Sequence, residues 1–304
     1  MANLKQQMIN SIKNGFSEDG MDKHSLKHNG SNPDKVFSYA ERSNLLDIGI
    51  QAANFIRNEF GIKMIKDVKG EHIQKFLDSK ASTCGQETLN NYVNRLTKVQ
   101  TLVEYRFKVD LDWKGNIEVP KSQVAFNGRD IQMDREDLQK VLDRAKEMKS
   151  TSKALIAIDL AEKFGLRVSE TVKLQVRDVD FDKMKLKIID SKGKHSRSID
   201  ISKEDVQYFK KLLDRKGFKD KIVGIKEDSV NKYLARAFQD LQITKYKDHK
   251  TGVHSIRKMA AQELYNKVRN DGLPREEAAL KVCKWLGHNS LRWDIIRVYV
   301  KNAW

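Results

Sequence analysis

Two short motifs near the C-terminal end of the chain bring phosphate-binding side chain types close together in sequence. His254 and Arg257 are three residues apart, and on a helix this spacing puts them on one face, where both can reach one anion. His288 follows a Leu-Gly pair, and Tyr299 lies eleven residues further on. Two imidazoles, a guanidinium and a phenol that converge predict chemistry at a phosphate with the tyrosine as nucleophile.

Two more basic residues lie upstream of these motifs, each close to a glycine. Arg167 stands in Gly-Leu-Arg-Val-Ser-Glu, where an apolar helical stretch ends. It either binds an anion or pairs with Glu170 to stabilise the turn, and the residues alone leave both roles open. Lys192 directly precedes the glycine of Ser-Lys-Gly-Lys-His, a sequence typical of a hairpin tip that presents side chains to a ligand. Lys194 in the same tip either contacts that ligand or is an ordinary basic turn residue.

The segments that must position these residues are mostly helical. In residues 36–110, apolar residues recur at helical spacing in a helix that stops at Gly61 and in a long helix from Leu89 to Phe107. The polar face of the long helix carries Arg95, Lys98 and Arg106, which are either a solvated face or phosphate contacts. Residues 154–161 are apolar nearly all round, which predicts a helix in the core of a second domain.

A two-residue period replaces the helical period between the two groups of motifs. Met184, Leu186 and Ile188 alternate with lysines, and residues 198–201 form a returning strand. This alternation predicts an antiparallel hairpin with Lys192 at its tip. The sequence therefore predicts a mainly α fold with a small antiparallel β-sheet.

The chain is expected to divide where periodic apolar positions are few. Residues 111–132 contain a tryptophan, two glycines and a proline, and they predict a linker. Residues 1–35 are polar and interrupted by glycines, and they predict a mobile N-terminal arm or a lightly docked helix. The expected order is the arm, a helical domain at 36–110, the linker, and a second domain at 133–304.

The composition favours a folded protein with a polyanionic partner. Of 304 residues, 39% are hydrophobic and 33% charged, which excludes the disordered class, and no apolar run approaches membrane-spanning length. The net charge of +16 favours nucleic acid first and an anionic membrane surface second, with a merely basic surface as the alternative. Cys84 and Cys283 match no metal-site spacing, so we expect reduced packing residues in a cytoplasmic protein.

The candidate residues also occur in a characteristic order along the chain: Arg167, Lys192, His254, Arg257, His288 and Tyr299. This order, with Gly-Leu-Arg-Val-Ser-Glu, a Lys-Gly-Lys hairpin, His-x-x-Arg and Leu-Gly-His, resembles the tyrosine recombinase (phage integrase) family over residues 133–304. The resemblance implies an α+β catalytic domain there and a helical, SAM-like core-binding domain at 36–110. It implies double-stranded DNA recombination sites as the partner, with these candidates for DNA contacts: Arg95, Lys98, Arg106 and Lys194.

The resemblance further implies a site-specific DNA recombinase that cuts and rejoins strands through a 3′-phosphotyrosine and a Holliday junction. Tyr299 would be the nucleophile, Arg167 and Arg257 would stabilise the transition state, and Lys192 would protonate the leaving 5′-oxygen. The two histidines would bond the same phosphate oxygens or take the tyrosine proton, and Glu170 would orient its neighbours. Such chemistry needs neither a metal ion nor a cofactor, and we expect it at the nucleoid in the cytoplasm.

Two features depart from the family pattern. His288 and Tyr299 are eleven residues apart, whereas nine or ten is more usual in the family, so the turn before the last helix should be longer or differently wound. Arg292, Trp293 and Arg297 fill this insertion. Five residues follow Tyr299, and we expect the free protein to be a monomer that forms tetramers only on DNA.

Two other functions stay open at this point. A type IB topoisomerase has a similar catalytic set but acts without partner strands, and the helical domain argues against it. A non-catalytic DNA-binding protein would use the arginines only to hold phosphates, and this alternative leaves Tyr299 and Lys192 unexplained.

Tyr265, the other nearby tyrosine, has the helical spacing of a core residue. The target sequence, the host element and the choice between integration and resolution also stay open.

Overall fold

The computed structural model describes residues 3–17, 35–124, 131–189, 196–247 and 252–303. The chain divides into two units, residues 1–127 and 128–304, and the division falls inside the stretch that was predicted to be a linker. None of the helices in these described ranges is long and apolar enough to cross a membrane.

The first unit is built from helices around one apolar core. Its helices are α1 (Leu4–Asn14), α2 (Tyr39–Phe60), α3 (Gly70–Lys80), α4 (Gln86–Phe107) and the short α5 (Trp113–Asn116). The side chain of Ser38 caps the start of α2 by accepting a hydrogen bond from the backbone N–H of Glu41, and Gly61 ends the helix at its C-terminus. Helices α2, α3 and α4 bury the apolar faces that the sequence periodicity predicts.

Of the two alternatives for residues 4–14, a mobile arm or a lightly docked helix, the structure shows a helix, α1, and docks it firmly. Its apolar stripe, Leu4, Met8 and Ile12, is fully buried in the core of the first unit. The side-chain oxygen of Gln7 accepts a hydrogen bond of 2.8 Å from the backbone N–H of Ile65. These contacts fix the helix in the core. Residues 18–34 of the expected arm lie outside the described residues.

The start of the expected linker also belongs to the first unit. Trp113 is fully buried, and its indole N–H donates a 2.9 Å hydrogen bond to the carbonyl oxygen of Val68. The hydroxyl of Ser122 donates to the carbonyl oxygen of Cys84 over 2.8 Å. Residues 111–124 are therefore packed rather than linking, because these side chains find partners just before α3 and in the loop between α3 and α4.

The second unit combines helices with a small sheet, and it confirms the predicted fold class. Its helices are α6 (Arg135–Glu147), α7 (Lys153–Phe164), α8 (Val168–Thr171), α9 (Lys203–Leu213), α10 (Glu227–Asp240), α11 (Gly252–Asn270), α12 (Arg275–Trp285) and α13 (Trp293–Tyr299). The strands β1 (Val179–Asp180), β2 (Lys185–Ile188) and β3 (Arg197–Asp200) form an antiparallel sheet in that order. Ile188 pairs with Arg197 at the end of the β2–β3 ladder.

Two apolar clusters stabilise this unit. The larger one surrounds α7, whose nearly uniform apolar surface is buried as predicted, and it includes the inward side chains of the sheet. The smaller one joins the second half of α11 to α12 and α13, and it contains Tyr265 and Cys283, both buried as expected of core residues. The two clusters meet at α11, which carries His254 and Arg257 at its N-terminal end.

Candidate active site

A buried carboxylate, that of Glu170, lies at the centre of the candidate site. Arg167 precedes α8, and the Glu170 carboxylate accepts 2.8 Å hydrogen bonds from both the backbone N–H and the Nη1 of Arg167. The pairing of these two residues, one of the alternatives left open by the sequence, is therefore present. Glu170 is only 3% exposed and Arg167 22% exposed, so the carboxylate is enclosed while the guanidinium reaches the surface of the site.

Arg257 enters the same site from α11 and is fully buried. Its Nη1 donates to the carbonyl oxygen of Gly165 and lies 3.5 Å from a carboxylate oxygen of Glu170. Its Nη2 donates a 2.6 Å hydrogen bond to the carbonyl oxygen of Leu286. Burial lowers the pKa of Arg257 to about 10, which still leaves the guanidinium charged at neutral pH.

Gly165 is required where α7 turns towards Arg167. Its φ of +58° is in the left-handed region, and a Cβ atom there would lie 2.2 Å from the ring of Trp285. The close approach of this backbone to Trp285 puts the carbonyl oxygen of Gly165 within reach of Arg257. The Gly-Leu-Arg sequence thus matters for geometry as well as for the arginine.

Tyr299 and His254 meet in this site, as the sequence predicted. The rings of His254 and Tyr299 are edge to face, with centroids 5.5 Å apart and planes at 75°. The guanidinium carbon of Arg257 lies 5.7 Å from the centroid of the Tyr299 ring. Tyr299 is the last residue of α13 and is 7% exposed, so a phenol is held beside a cation and an imidazole in a partly closed position.

The turn that follows α12 places His288. Its backbone N–H donates a 2.8 Å hydrogen bond to the carbonyl oxygen of Cys283. Burial, together with the nearby charges of Arg167 and Arg257, lowers the pKa of the His288 imidazole. His288 is therefore neutral at pH 7, and it lies in the same positive field as the residues above.

The segment between His288 and α13 is held by contacts of Arg292. The backbone N–H of Arg292 lies 3.4 Å from the sulfur of Cys283, and its guanidinium makes two hydrogen bonds to Asp294, of 3.2 and 2.6 Å. These contacts hold the connection that was predicted to be longer or differently wound. Trp293 and Arg297, the other residues of the predicted insertion, lie within α13 itself.

The residues after Tyr299 pack against their own unit. Val300 and Ala303 are buried, the backbone N–H of Lys301 donates a 2.7 Å hydrogen bond to the side chain of Gln262, and Arg275 donates to the carbonyl oxygen of Ala303 over 2.7 Å. These contacts fix the C-terminal end of α13, and with it the position of Tyr299.

Arg197 is the residue that the sequence analysis missed. It lies on β3, is 10% exposed, and donates from Nη1 and Nη2 to the two carboxylate oxygens of Glu170 over 2.8 and 2.9 Å. A signal for it was available, because the two-residue period puts Arg197 on the same strand face as the buried Ile199. An arginine on an inward strand face needs a buried acidic partner, and Glu170 is that partner.

The remaining candidates lie elsewhere. Lys192 and Lys194 fall in residues 190–195, outside the described residues. Arg95 and Lys98 share a shallow groove of about 300 Å³ with Asn91 and Asn94 in the first unit. Arg106 is eleven residues beyond Arg95 on α4, about 16 Å along the helix axis, where its guanidinium lies 5.5 Å from the ring of Phe107.

Comparisons with known proteins identify a matching family and several similar structures. The phage integrase family profile matches residues 132–303, whereas no curated protein sequence matches the chain. The XerH recombinase bound to its difH substrate is similar in structure, with a TM-score of 0.62 and 15% identity over 98% of this chain and 90% of that one.

Two other solved structures are similar to a comparable extent. A lambda integrase tetramer bound to a Holliday junction has a TM-score of 0.62 and 16% identity, over 96% of this chain and 79% of that one. The Tn1549 transposon integrase bound to transposon right-end DNA has a TM-score of 0.58 and 15% identity, over 98% of this chain and 95% of that one. At these identities the likeness shows a shared fold.

Proposed function

The chain belongs to the phage integrase family and is a tyrosine recombinase, a DNA strand-transferring enzyme, and we propose that Tyr299 is its nucleophile. The observation that carries this proposal is the meeting of Tyr299 with His254 and Arg257. In the proposed reaction the Tyr299 oxygen attacks the scissile phosphorus and forms a 3′-phosphotyrosine. The bond to the 5′-oxygen breaks, and a 5′-hydroxyl of another strand later reverses the step by attacking the phosphotyrosine.

Arg167 and Arg257 are complementary in charge to the phosphate, which becomes more negative during this attack. Ionising a free phenol at pH 7 costs about 4 kcal/mol, and the transition state carries extra negative charge on the non-bridging oxygens. Arg167 and Arg257 are the groups proposed to stabilise that charge, because a guanidinium meets two oxygens at once and stays protonated. Their hydrogen bonds to Glu170, Gly165 and Leu286 hold them in place before the substrate arrives.

The two histidines and Lys192 are proposed to donate hydrogen bonds or transfer protons during the reaction. His254 is edge-on to the Tyr299 ring, which suits a role in binding the phosphate or accepting the phenol proton. His288, neutral because of its lowered pKa, can donate one hydrogen bond to a phosphate oxygen without adding charge. Lys192 lies on the connection between β2 and β3 and is proposed to protonate the leaving 5′-oxygen.

Duplex DNA is the proposed substrate, and a tetramer on DNA is the proposed assembly. The net charge of +16 suits a polyanion, and the XerH, lambda integrase and Tn1549 structures each contain DNA, with lambda integrase present as a tetramer. The first unit is proposed to be the core-binding domain, with Arg95, Lys98 and Arg106 as its phosphate contacts. Because the substrate is DNA, we expect the protein to act at the nucleoid. No observation favours the topoisomerase or the non-catalytic alternative.

The proposal is tested by trapping the covalent intermediate. The protein is mixed with a nicked duplex that carries its recombination site. Cleavage releases the short fragment that bears the new 5′-hydroxyl, so the covalent intermediate cannot be religated. SDS-resistant adducts are then counted on a gel. We expect an adduct with the unchanged protein and with Tyr265→Phe, which alters a buried core tyrosine. Tyr299→Phe should give no adduct while DNA affinity stays within about twofold, because one hydroxyl adds little to a phosphate-dominated interface. An adduct that persists in Tyr299→Phe would overturn the assignment.

A further inference from the structure

Two of the arginines that share the Glu170 carboxylate also contact the turn that carries His288. Arg197 on β3 donates from Nη1 and Nη2 to the two carboxylate oxygens over 2.8 and 2.9 Å. Arg257 on α11 lies 3.5 Å from the same carboxylate, and its Nη2 donates a 2.6 Å hydrogen bond to the carbonyl oxygen of Leu286. Arg257 therefore connects the carboxylate to the first residue of the Leu-Gly-His turn.

Arg197 contacts the second residue of that turn, Gly287. A Cβ atom at Gly287 would lie 2.9 Å from Nη1 of Arg197 and 3.2 Å from its Cδ and Cζ, so the guanidinium packs directly against the glycine backbone. Gly287 has a φ of +88°, in the left-handed region. Glycine is needed here for that conformation and for the space that the guanidinium occupies. His288 follows directly, so a displacement of Gly287 would displace its imidazole.

We propose that Arg197 is a positioning residue for His288, because its fork is held by Glu170 while its guanidinium packs against Gly287 and fixes the turn. The contacts that carry this proposal join β3, α8 and the turn after α12. The placement of the imidazole follows from these contacts alone. Its importance for cleavage rests on the proposed function, in which His288 binds a phosphate oxygen.

Arg197 is not placed to bind the phosphate itself. Both of its terminal nitrogens donate to Glu170, so the planar fork that would meet two phosphate oxygens is already occupied. Arg197 is also 10% exposed, against 22% for Arg167. Arg197 therefore acts through the groups that it contacts, and the Gly287 turn is one of them.

The imidazole of His288 reports whether the turn is in place. Burial lowers its pKa, nearby cations lower it as well, and one carboxylate acts in the opposite direction; these charged groups are Arg167, Arg257, Arg292 and Asp294. A turn that loses its contact with Arg197 would expose the ring to water, and its pKa would rise towards the ordinary value of about 6.5. A variant that only destabilised the fold would leave the pKa in the native protein unchanged.

The test follows the ring protons of His288 by NMR during a pH titration of the free protein, and the spectrum of His288→Ala identifies its signal. We expect the midpoint of the titration to rise in Arg197→Gln and in Arg197→Lys. The lysine variant keeps the positive charge but lacks the planar guanidinium, so its rise would come from lost packing. An unchanged midpoint in Arg197→Lys would mean that Arg197 affects His288 only by its charge, and the proposal would be wrong.

Two glycines with similar φ angles provide a matched pair of variants. Gly287→Ala keeps Arg197 and its charge but places a methyl group where the guanidinium lies, so the His288 midpoint should rise. Gly272 has a φ of +91°, and among the described residues no atom lies within 4 Å of a Cβ placed there. Gly272→Ala therefore introduces similar backbone strain without the clash, and it should leave the midpoint unchanged. Equal midpoints in the two alanine variants would contradict the proposal.

Single-turnover cleavage of the nicked duplex then measures what this placement does for the reaction. His288→Ala should lower the rate about 100-fold, as expected for one lost donor to the phosphate. Gly287→Ala should lower it about tenfold, because its donor is misplaced rather than removed. Adding Gly287→Ala to His288→Ala should cost less than about threefold more, since both substitutions act through one imidazole.

The two measurements separate failure of this proposal from failure of the proposed function. A further tenfold loss in the double variant would show that the contact of Arg197 with Gly287 acts through a group other than His288, and it would overturn the proposal. If His288→Ala cleaved at an unchanged rate, the role of His288 at the phosphate would be wrong. The NMR titration decides the placement of the imidazole in either case, because it uses the protein without DNA.

Discussion

Two clusters in the second unit join acidic and basic side chains next to a tyrosine, and the two clusters differ in net charge. The Glu170 cluster consists of Glu170, Arg167, Arg197 and Arg257, so three guanidinium groups surround one carboxylate. The Asp137 cluster consists of Asp134, Asp137, Lys140, Lys245 and Tyr246, so two ammonium groups face two carboxylates. The first has a net charge of +2, and the second is neutral.

The charged group that a tyrosine contacts decides its role in each cluster. The Tyr246 hydroxyl donates a 2.7 Å hydrogen bond to Asp137, and burial and this carboxylate raise the pKa of Tyr246 to about 12. That phenol is kept protonated and serves as a structural donor. Tyr299 instead lies beside the Arg257 guanidinium, a cation that attracts an incoming phosphate. A tyrosine beside charged side chains is therefore a structural anchor in one cluster and a candidate nucleophile in the other.

The largest difference between the clusters should appear in the rate of DNA cleavage. Arg167→Ala should lower the rate of adduct formation about 100- to 1000-fold, because it removes a preorganised donor to the transition state. Lys245→Ala should change the rate less than about fivefold, since a partly exposed ion pair contributes about 1 kcal/mol or less. Both rates are measured in single turnover at saturating protein. Similar losses in the two variants would mean that the two clusters do not differ in function.

The second difference concerns the stability of the free protein. Glu170→Gln leaves three buried or half-buried guanidinium groups without their carboxylate, and we expect it to lower the free energy of unfolding by about 3–5 kcal/mol. Asp137→Asn keeps an oxygen for the Tyr246 hydroxyl and leaves Asp134 to pair with Lys245, so a loss of about 1–2 kcal/mol is expected. Urea unfolding at pH 7 measures both. The reverse order would mean that the Glu170 cluster tolerates its excess positive charge.

The two regions should also respond to acid at different pH. His288 has a lowered pKa, so the unfolded chain takes up its proton first, and stability should fall as pH drops below about 6.5. Burial acts to raise the pKa of Asp137, but hydrogen bonds from Lys245 and Tyr246 hold it below its usual value. The contribution of Asp137 is therefore present above about pH 4 and is lost only as pH falls further.

Urea unfolding across pH 4–8 separates these contributions. His288→Asn should flatten the profile just below about pH 6.5, where the unfolded imidazole gains a proton more readily than the native one. Asp137→Asn should leave that part of the profile unchanged and flatten only its acid end. If His288→Asn left the slope near pH 6 as it was, the positive field around His288 would be weaker than the geometry indicates.

The smallest effect is expected from cations that belong to neither cluster. Arg95→Ala combined with Lys98→Ala should reduce the slope of log affinity against log salt by about 0.9 for each phosphate that is no longer neutralised. Lys63→Ala combined with Lys66→Ala removes the same charge from exposed positions outside that groove and serves as the control. Filter binding from low to moderate salt measures the slopes. Equal slopes in the two double variants would remove Arg95 and Lys98 from the proposed DNA contacts.

Local pattern was enough to predict much of the second unit. The apolar surface of residues 154–161 predicted a core helix, and the two-residue alternation predicted a hairpin, because both periods depend only on neighbours along the chain. The three-residue spacing of His254 and Arg257 likewise predicted that both reach one site. The fold class followed from these periods, the family and the enzymatic class followed from motif order, and all three are confirmed.

The sequence by itself determined which residue types were available for phosphate chemistry and which elements carry them. Only the tertiary structure decided that the fork of Arg197 binds Glu170, that Leu4, Met8 and Ile12 are core residues, and that Trp113 packs on the first unit. Each of these contacts joins residues at least 27 positions apart in the chain, as between Glu170 and Arg197. Their partners are set by how helices and strands pack, and a periodic pattern holds no information about which distant side chain fills the facing position.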